Sequence, residues 1–129
     1  MSHLSDKQIE QAKVTTRYAV PGDVHHEHPD CIRIAYEWLD AQATTKTANR
    51  RNTLALKHII ENWAGRYVSQ SDVEVAANLH PQIFGTYPNY NISSRLVRPS
   101  ADRLGKIPEA KTQGYGERYD EVYAADENA

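Results

Sequence analysis

Three groups of residues in this chain have the types and spacing for chemistry. The first is the run NISSRLVRPSADRLGKI, Asn91–Ile107, where Ile92, Leu96 and Leu104 fall at helical spacing with serines and arginines between them. On such a helix Ser93, Ser94, Arg95 and Arg98 lie opposite the apolar positions. Hydroxyls donate to phosphate oxygens, and an arginine clamps a phosphate or reads guanine O6 and N7 with its fork. Asn89, Tyr90 and Asn91 at the helix start would meet backbone phosphates, helped by the free amides there. The second group is Arg103 and Lys106 at the end of the same run, with Lys111, Gln113 and Arg118 extending its polar and basic character beyond it. The third is His25-His26-Glu27-His28 with Cys31, which offers imidazoles and a thiolate of the kind zinc prefers. Structural zinc sites gather their ligands in two spaced pairs, whereas His58 and His80 stand alone, so a polar loop entering a helix is expected, with no metal and no cofactor. Cys31 sits on an apolar stripe and should be a buried, inert thiol. The chain contains no glycine-rich phosphate loop, no nucleophile elbow and no carboxylate pair spaced for acid–base work. Asp72 with Glu74, and Asp6 with Glu10, read as helix-start charges. An enzyme is not expected.

Charge distribution supports a polyanion partner more than the total does. The 129 residues carry a formal net charge of -2 and a mean hydropathy of -0.72. By segment the net charge is -3 over 1–45, +2 over 46–84, +3 over 85–118 and -4 from Tyr119 onward. A basic centre between acidic ends suits a polyanion-binding module. The length suits one domain. No apolar run approaches the roughly 18–20 residues of a membrane span, and MSHLSDKQIEQ has no signal-like apolar segment, so a cytoplasmic protein without a membrane partner is expected. One cysteine agrees with a reducing compartment. The sequon Asn91-Ile92-Ser93 reads as accidental.

Periodicity places the elements. Residues 1–29 read as a polar arm with a weak helical signal over Ser5–Tyr18, opened by a Ser5/Gln8 capping box. Pro29-Asp30 starts a helix over 30–43 with Ile32, Ala35, Tyr36 and Leu39 on one stripe and Cys31, Ile34 and Trp38 on a second; the wide apolar arc implies burial or a homodimer interface. A polar loop, 44–52, leads to a helix bearing Leu56, Ile59, Ile60 and Trp63, with Gly65 at its C-cap. A capping box at Ser71/Glu74 opens a third helix to residue 79, before Pro81. Phe84–Asn89 is turn-rich, and the quoted helix follows. Residues 107–113 and 117–123 alternate around Gly114-Tyr115-Gly116 as a β-hairpin, and 124–129 is an acidic tail.

This order, and above all Ile92-Ser-Ser-Arg-Leu96 followed by Arg103-Leu-Gly-Lys-Ile107, resembles the winged helix-turn-helix family of DNA-binding domains. The resemblance implies a mostly α fold with a small β-hairpin wing, a single domain over 30–123 including an additional N-terminal helix. It makes Leu56–Ala64 the first helix of the motif, Ser71–Leu79 the second, Asn91–Leu104 the recognition helix and Ile107–Tyr123 the wing. Pro99 should kink or end the recognition helix near Val97 or Arg98. The function implied is double-stranded DNA binding by a transcriptional regulator or a replication or accessory factor, phage or mobile-element encoded, dimeric through residues 30–43. The alternative is a winged-helix protein-interaction module or small inhibitor docking on a larger partner, with Tyr87, Tyr90, Tyr115, Tyr119 and Tyr123 as anchors.

Overall fold

The computed structural model describes residues 4–49, 55–115 and 119–128, which form a small α+β domain. Among the described residues there are four α-helices and two sheets of two strands each. No helix among them is long and apolar enough to cross a membrane.

The helix at the centre, α2 (Pro29–Asp40), begins with proline at its first position, and His28 Nδ1 accepts the Asp30 N–H. Its residues from Asp30 to Leu39 are buried except Arg33, which is half-buried. A helix that is apolar around most of its circumference has to be covered from several sides. The helix α4 (Gln70–Leu79) supplies the largest cover, with α3 (Leu56–Ala64) and α1 (Asp6–Thr15) beside it. The two apolar stripes read as a homodimer interface over 30–43 are therefore used inside the chain. Both Trp38 and Leu39 have no solvent exposure, so this helix offers no apolar face to a second copy.

The first 29 residues are more than an arm. The Ser5/Gln8 capping box forms as the sequence implies, and Leu4, Ile9 and Ala12 enter the core. On α3, Gly65 takes φ +62° at the C-cap, as its place in the sequence implies. The capping box of α4 lies two residues earlier than expected. Ser69 accepts the Asp72 N–H, and Asp72 accepts the Ser69 N–H. Ser71 and Glu74 instead accept N–H groups of the N-terminal segment, from His25 and Ala19 respectively.

Two further expectations are corrected. Asn91–Leu104 is not a helix. Leu96–Arg98 is a strand, β3, running parallel to β4 (Tyr123–Asp126), and Ala101–Leu104 is a short 3-10 turn capped by Ser100. Pro99 has no N–H for a helical ladder, and the backbone of Val97 is satisfied by a side chain: Gln42 accepts its N–H at 2.9 Å and donates to its C=O at 2.8 Å. Nor, among the described residues, do 107–113 and 119–123 pair as a wing. Lys111, at φ +64°, and Gln113 donate their backbone N–H groups to Ala64 and Gly65, ending α3, while 120–122 form a 3-10 turn leading into β4. Residues 116–118 lie outside the described residues.

The hairpin is elsewhere. β1 (Gly85–Thr86) pairs antiparallel with β2 (Asn89–Tyr90) across the cis Tyr87–Pro88 peptide bond. Thr44, just after α2, bridges Ile92 antiparallel beyond β2. Asn91 ties these pieces together. Its Oδ1 accepts the Phe84 N–H at 2.7 Å, and its Nδ2 donates to the carbonyls of Gln82 at 2.9 Å and Thr45 at 3.3 Å. Asn91→Ala leaves these backbone groups without their partner in a buried place, and should lower stability by roughly 2–4 kcal/mol, read as a shift in urea midpoint. Gly85→Ala should open the hairpin, because φ is +121° there and a Cβ would fall on the Asn89 carbonyl oxygen; loss of hydrogen-exchange protection at Tyr90 and Asn91 checks it.

Candidate functional site

The residues expected to face a nucleic acid divide into three groups. Tyr90 and Asn91 are buried, and Asn89 is half-buried with its Oδ1 enclosed and, among the described residues, without a hydrogen-bond partner. Burial, then the charge of Glu74, pushes the Tyr90 hydroxyl well above the usual tyrosine range. These residues build the hairpin.

The second group is occupied internally. Arg98 pairs with Asp120 at 2.9 Å and Asp126 at 3.3 Å and lies over the Tyr123 ring. Arg103 reaches Glu37 at 2.8 Å and Asp40 at 3.0 Å on α2, and Glu127 from both Nε and Nη2. The hydrogen bonds it donates to Glu127, against the cost of burial, hold the guanidinium firmly charged. Glu127 falls below its ordinary range chiefly through Arg103. Asp40 falls too, because hydrogen bonds from His80 and Arg103 outweigh its burial. Burial dominates at Glu37 and pushes that carboxyl up. Lys111 donates to the Trp63 carbonyl and Gln113 accepts the Tyr67 N–H, so both serve the end of α3.

The third group remains in solvent. Ser94, Arg95 and Lys106 are exposed, while Ser93 is half-buried, its hydroxyl accepting the Arg95 N–H. Arg118 lies outside the described residues. Among the described residues no α-helix gathers Ser93, Ser94, Arg95 and Lys106 into one face in the way a recognition helix would.

The histidine cluster is dispersed among separate partners. His25 lies near Glu27, His26 Nδ1 meets the buried Asp72 at 2.7 Å and its Nε2 meets the Tyr18 hydroxyl, and His28 caps α2. Among the described residues no three His, Cys, Asp or Glu side chains gather as metal ligands. Cys31 is buried with its Sγ donating to the Tyr67 carbonyl, and burial pushes its thiol up to about 12.

The sequence reading missed a groove of about 310 Å³ between the C-terminal end of α1, α4 and the β1–β2 hairpin. Thr15–Arg17 form one wall, Ala77 and Asn78 a second, and Phe84–Tyr87 with Tyr90 the third. Phe84 is 51% exposed and Glu74 is 6% exposed. Glu74 Oε2 accepts the Ala19 N–H at 2.7 Å. The tyrosines at Tyr87 and Tyr90 meet edge to face, 6.3 Å between ring centroids. A Tyr-Pro turn after an exposed Phe was the available signal; the contribution of α1 came from residues read as an arm.

The Arg103 cluster generates two predictions. Arg103→Met leaves Glu37 buried without its counter-charge, and should cost about 2–3 kcal/mol, less than a fully buried pair because Asp40 and Glu127 reach solvent. The lowered carboxyls of Asp40 and Glu127 contribute stability that is complete above their ordinary values of 3.8 and 4.5 and is lost as pH falls through the lower folded values. The raised carboxyl of Glu37 opposes this, since its neutral form is favoured in the fold. Glu127→Gln should therefore flatten the decline of stability below pH 4.5, measured by urea unfolding across an acid pH series. No protein-family model, curated protein or solved structure matches the chain.

Proposed function

We propose that this chain is a protein-docking module on a winged-helix plan, presenting the β1–β2 hairpin and the groove beside it. The order α2, Thr44 bridge, α3, α4, β1, β2, with Thr44 pairing beyond β2, supports that plan. It puts α4, rather than Asn91–Leu104, in the place of the recognition helix and Tyr87–Pro88 at the tip of the wing. A duplex reader needs cations on that helix, because phosphate contacts supply most of the affinity. α4 carries Asp72 and Glu74 and no lysine or arginine. The N-terminal segment lies on it, through Ala19 to Glu74, His25 to Ser69 and Ser71, and His26 to Asp72. The observation that carries the docking reading is Phe84, a half-exposed aromatic ring at the lip of a groove. Aromatic residues of this kind are enriched at protein interfaces.

Double-stranded DNA binding is the second reading, favoured by Lys46 and Arg95, both exposed at the two ends of the Thr44–Ile92 bridge. Ser94 and Lys106 would add to it. Fluorescence anisotropy with a mixed-sequence duplex at about 50 and 200 mM salt separates the readings. Under the docking reading no salt-steep binding appears, and a photo-crosslinking residue at Phe84 captures a discrete protein adduct that the same residue at Lys106 does not. Salt-steep binding abolished by Lys46→Glu/Arg95→Glu would establish the DNA reading instead. Arg98 is left intact in that variant, because reversing it breaks its pairs with Asp120 and Asp126.

A further inference from the structure

The groove beside the hairpin combines a buried carboxylate with aromatic walls. Glu74 is more than nine-tenths buried, and one of its oxygens, Oε2, is held by the Ala19 N–H. Among the described residues no donor reaches the other oxygen. Its negative charge is felt by the hydroxyls of Tyr18, Tyr87 and Tyr90, in each case second to burial or, at Tyr87, opposed by the Lys57 N–H donated to that hydroxyl. A buried carboxylate without a counter-charge is costly, and the cost is relieved by a cation entering the groove. Phe84 and Tyr87 line the groove; an aromatic face attracts a cation, and the apolar ring surface covers the methylene stem that carries it.

We propose that the groove binds a basic side chain, a lysine ammonium or arginine guanidinium, presented by a partner protein, with Glu74 as its counter-charge and Phe84 and Tyr87 flanking its stem. The assignment deepens the docking reading and rests on it. A volume of about 310 Å³ is at the small end of ligand sites, and suits one long side chain with part of its backbone. Arg17 adds a second requirement. It lines the same groove, is exposed, and has no ion-pair partner among the described residues. It repels a run of basic residues and attracts an acidic neighbour, so the segment recognised is a basic residue next to an acidic one, rather than a polybasic stretch. Charge complementarity at two points of opposite sign also fixes the direction in which such a segment lies.

The test is a chemical-shift titration of the ¹⁵N-labelled full chain with the peptide acetyl-Ala-Arg-Asp-amide, and in parallel with acetyl-Ala-Gln-Asp-amide. The arginine peptide should shift the amides of Glu74, Asn78, Phe84 and Tyr87, with at least tenfold weaker binding for the glutamine peptide. Glu74→Gln keeps an oxygen for the Ala19 N–H and should weaken the arginine peptide tenfold or more. Phe84→Ala, at an exposed position, should weaken it several-fold with thermal stability unchanged. Equal shifts from both peptides, no shifts in the groove, or undiminished binding by Glu74→Gln overturns the proposal. A protein adduct at Phe84 without arginine-dependent shifts leaves the docking reading standing and removes this one. Shifts of equal size from free butylammonium, with no protein adduct at Phe84, would assign the groove to a small cation and overturn both.

Discussion

The constraint on which the rest depends is that α2 has almost no side that tolerates water. From Asp30 to Leu39 only Arg33 is less than buried, and covering so wide an arc requires elements from the whole chain. Arg33 binds the Leu4 carbonyl and Asp6, bringing the N-terminal segment over the first turn. Trp38 donates its indole N–H to the Tyr123 hydroxyl, 85 residues away. Glu37 and Asp40 take hold of Arg103. A hydrophobic surface of this extent supplies non-directional driving force, and these polar contacts at its margins decide which segment covers which side.

The same logic explains the charge pattern. A basic middle and an acidic tail look like a polyanion surface with repelling ends when they are summed along the chain. In space the two signs meet. Arg98 takes Asp120 and Asp126, and Arg103 takes Glu127. Opposite charge between distant segments of one chain is as good a sign of internal pairing as of an external partner, and the linear sequence does not distinguish them. Among the described residues Arg98 and Arg103 are thereby spent on internal pairs, and that shifts the balance toward a partner that recognises shape and a few charges.

The local signals in the sequence were readable where the interaction partners lie within a few residues. The Ser5/Gln8 box, Pro29 at the start of α2, the stripe of Leu56, Ile59, Ile60 and Trp63, and Gly65 at its end all act over one or two turns. What the sequence concealed was settled by partners far away. Asn91 reads equally well as a helix cap, and its bonds to Thr45, Gln82 and Phe84 make it a hub. Ile92, Leu96 and Leu104 are all buried, so their apolar spacing reported burial correctly while the periodicity was accidental: the chain there is strand and 3-10 turn. Ser69 and Ser71 both offer a capping box two residues apart, and Ala19 and His25 occupy one of them. The groove was invisible because one wall came from residues that carry too thin an apolar stripe to announce a packed helix.

Gln42 has a consequence for how the small parallel sheet can meet other chains. Its amide satisfies both backbone groups of Val97, on the side of β3 turned away from β4, and its Nε2 also bonds the Trp38 carbonyl. A strand's bare edge is a template for another strand, and here a single side chain, anchored to the most buried helix, sits where that strand would add. Among the described residues, growth of the sheet is left the direction beyond β4, past exposed Ala124, Ala125 and Asp126. The chain thus carries a one-sided stop against self-templating, placed by the helix rather than by the sheet.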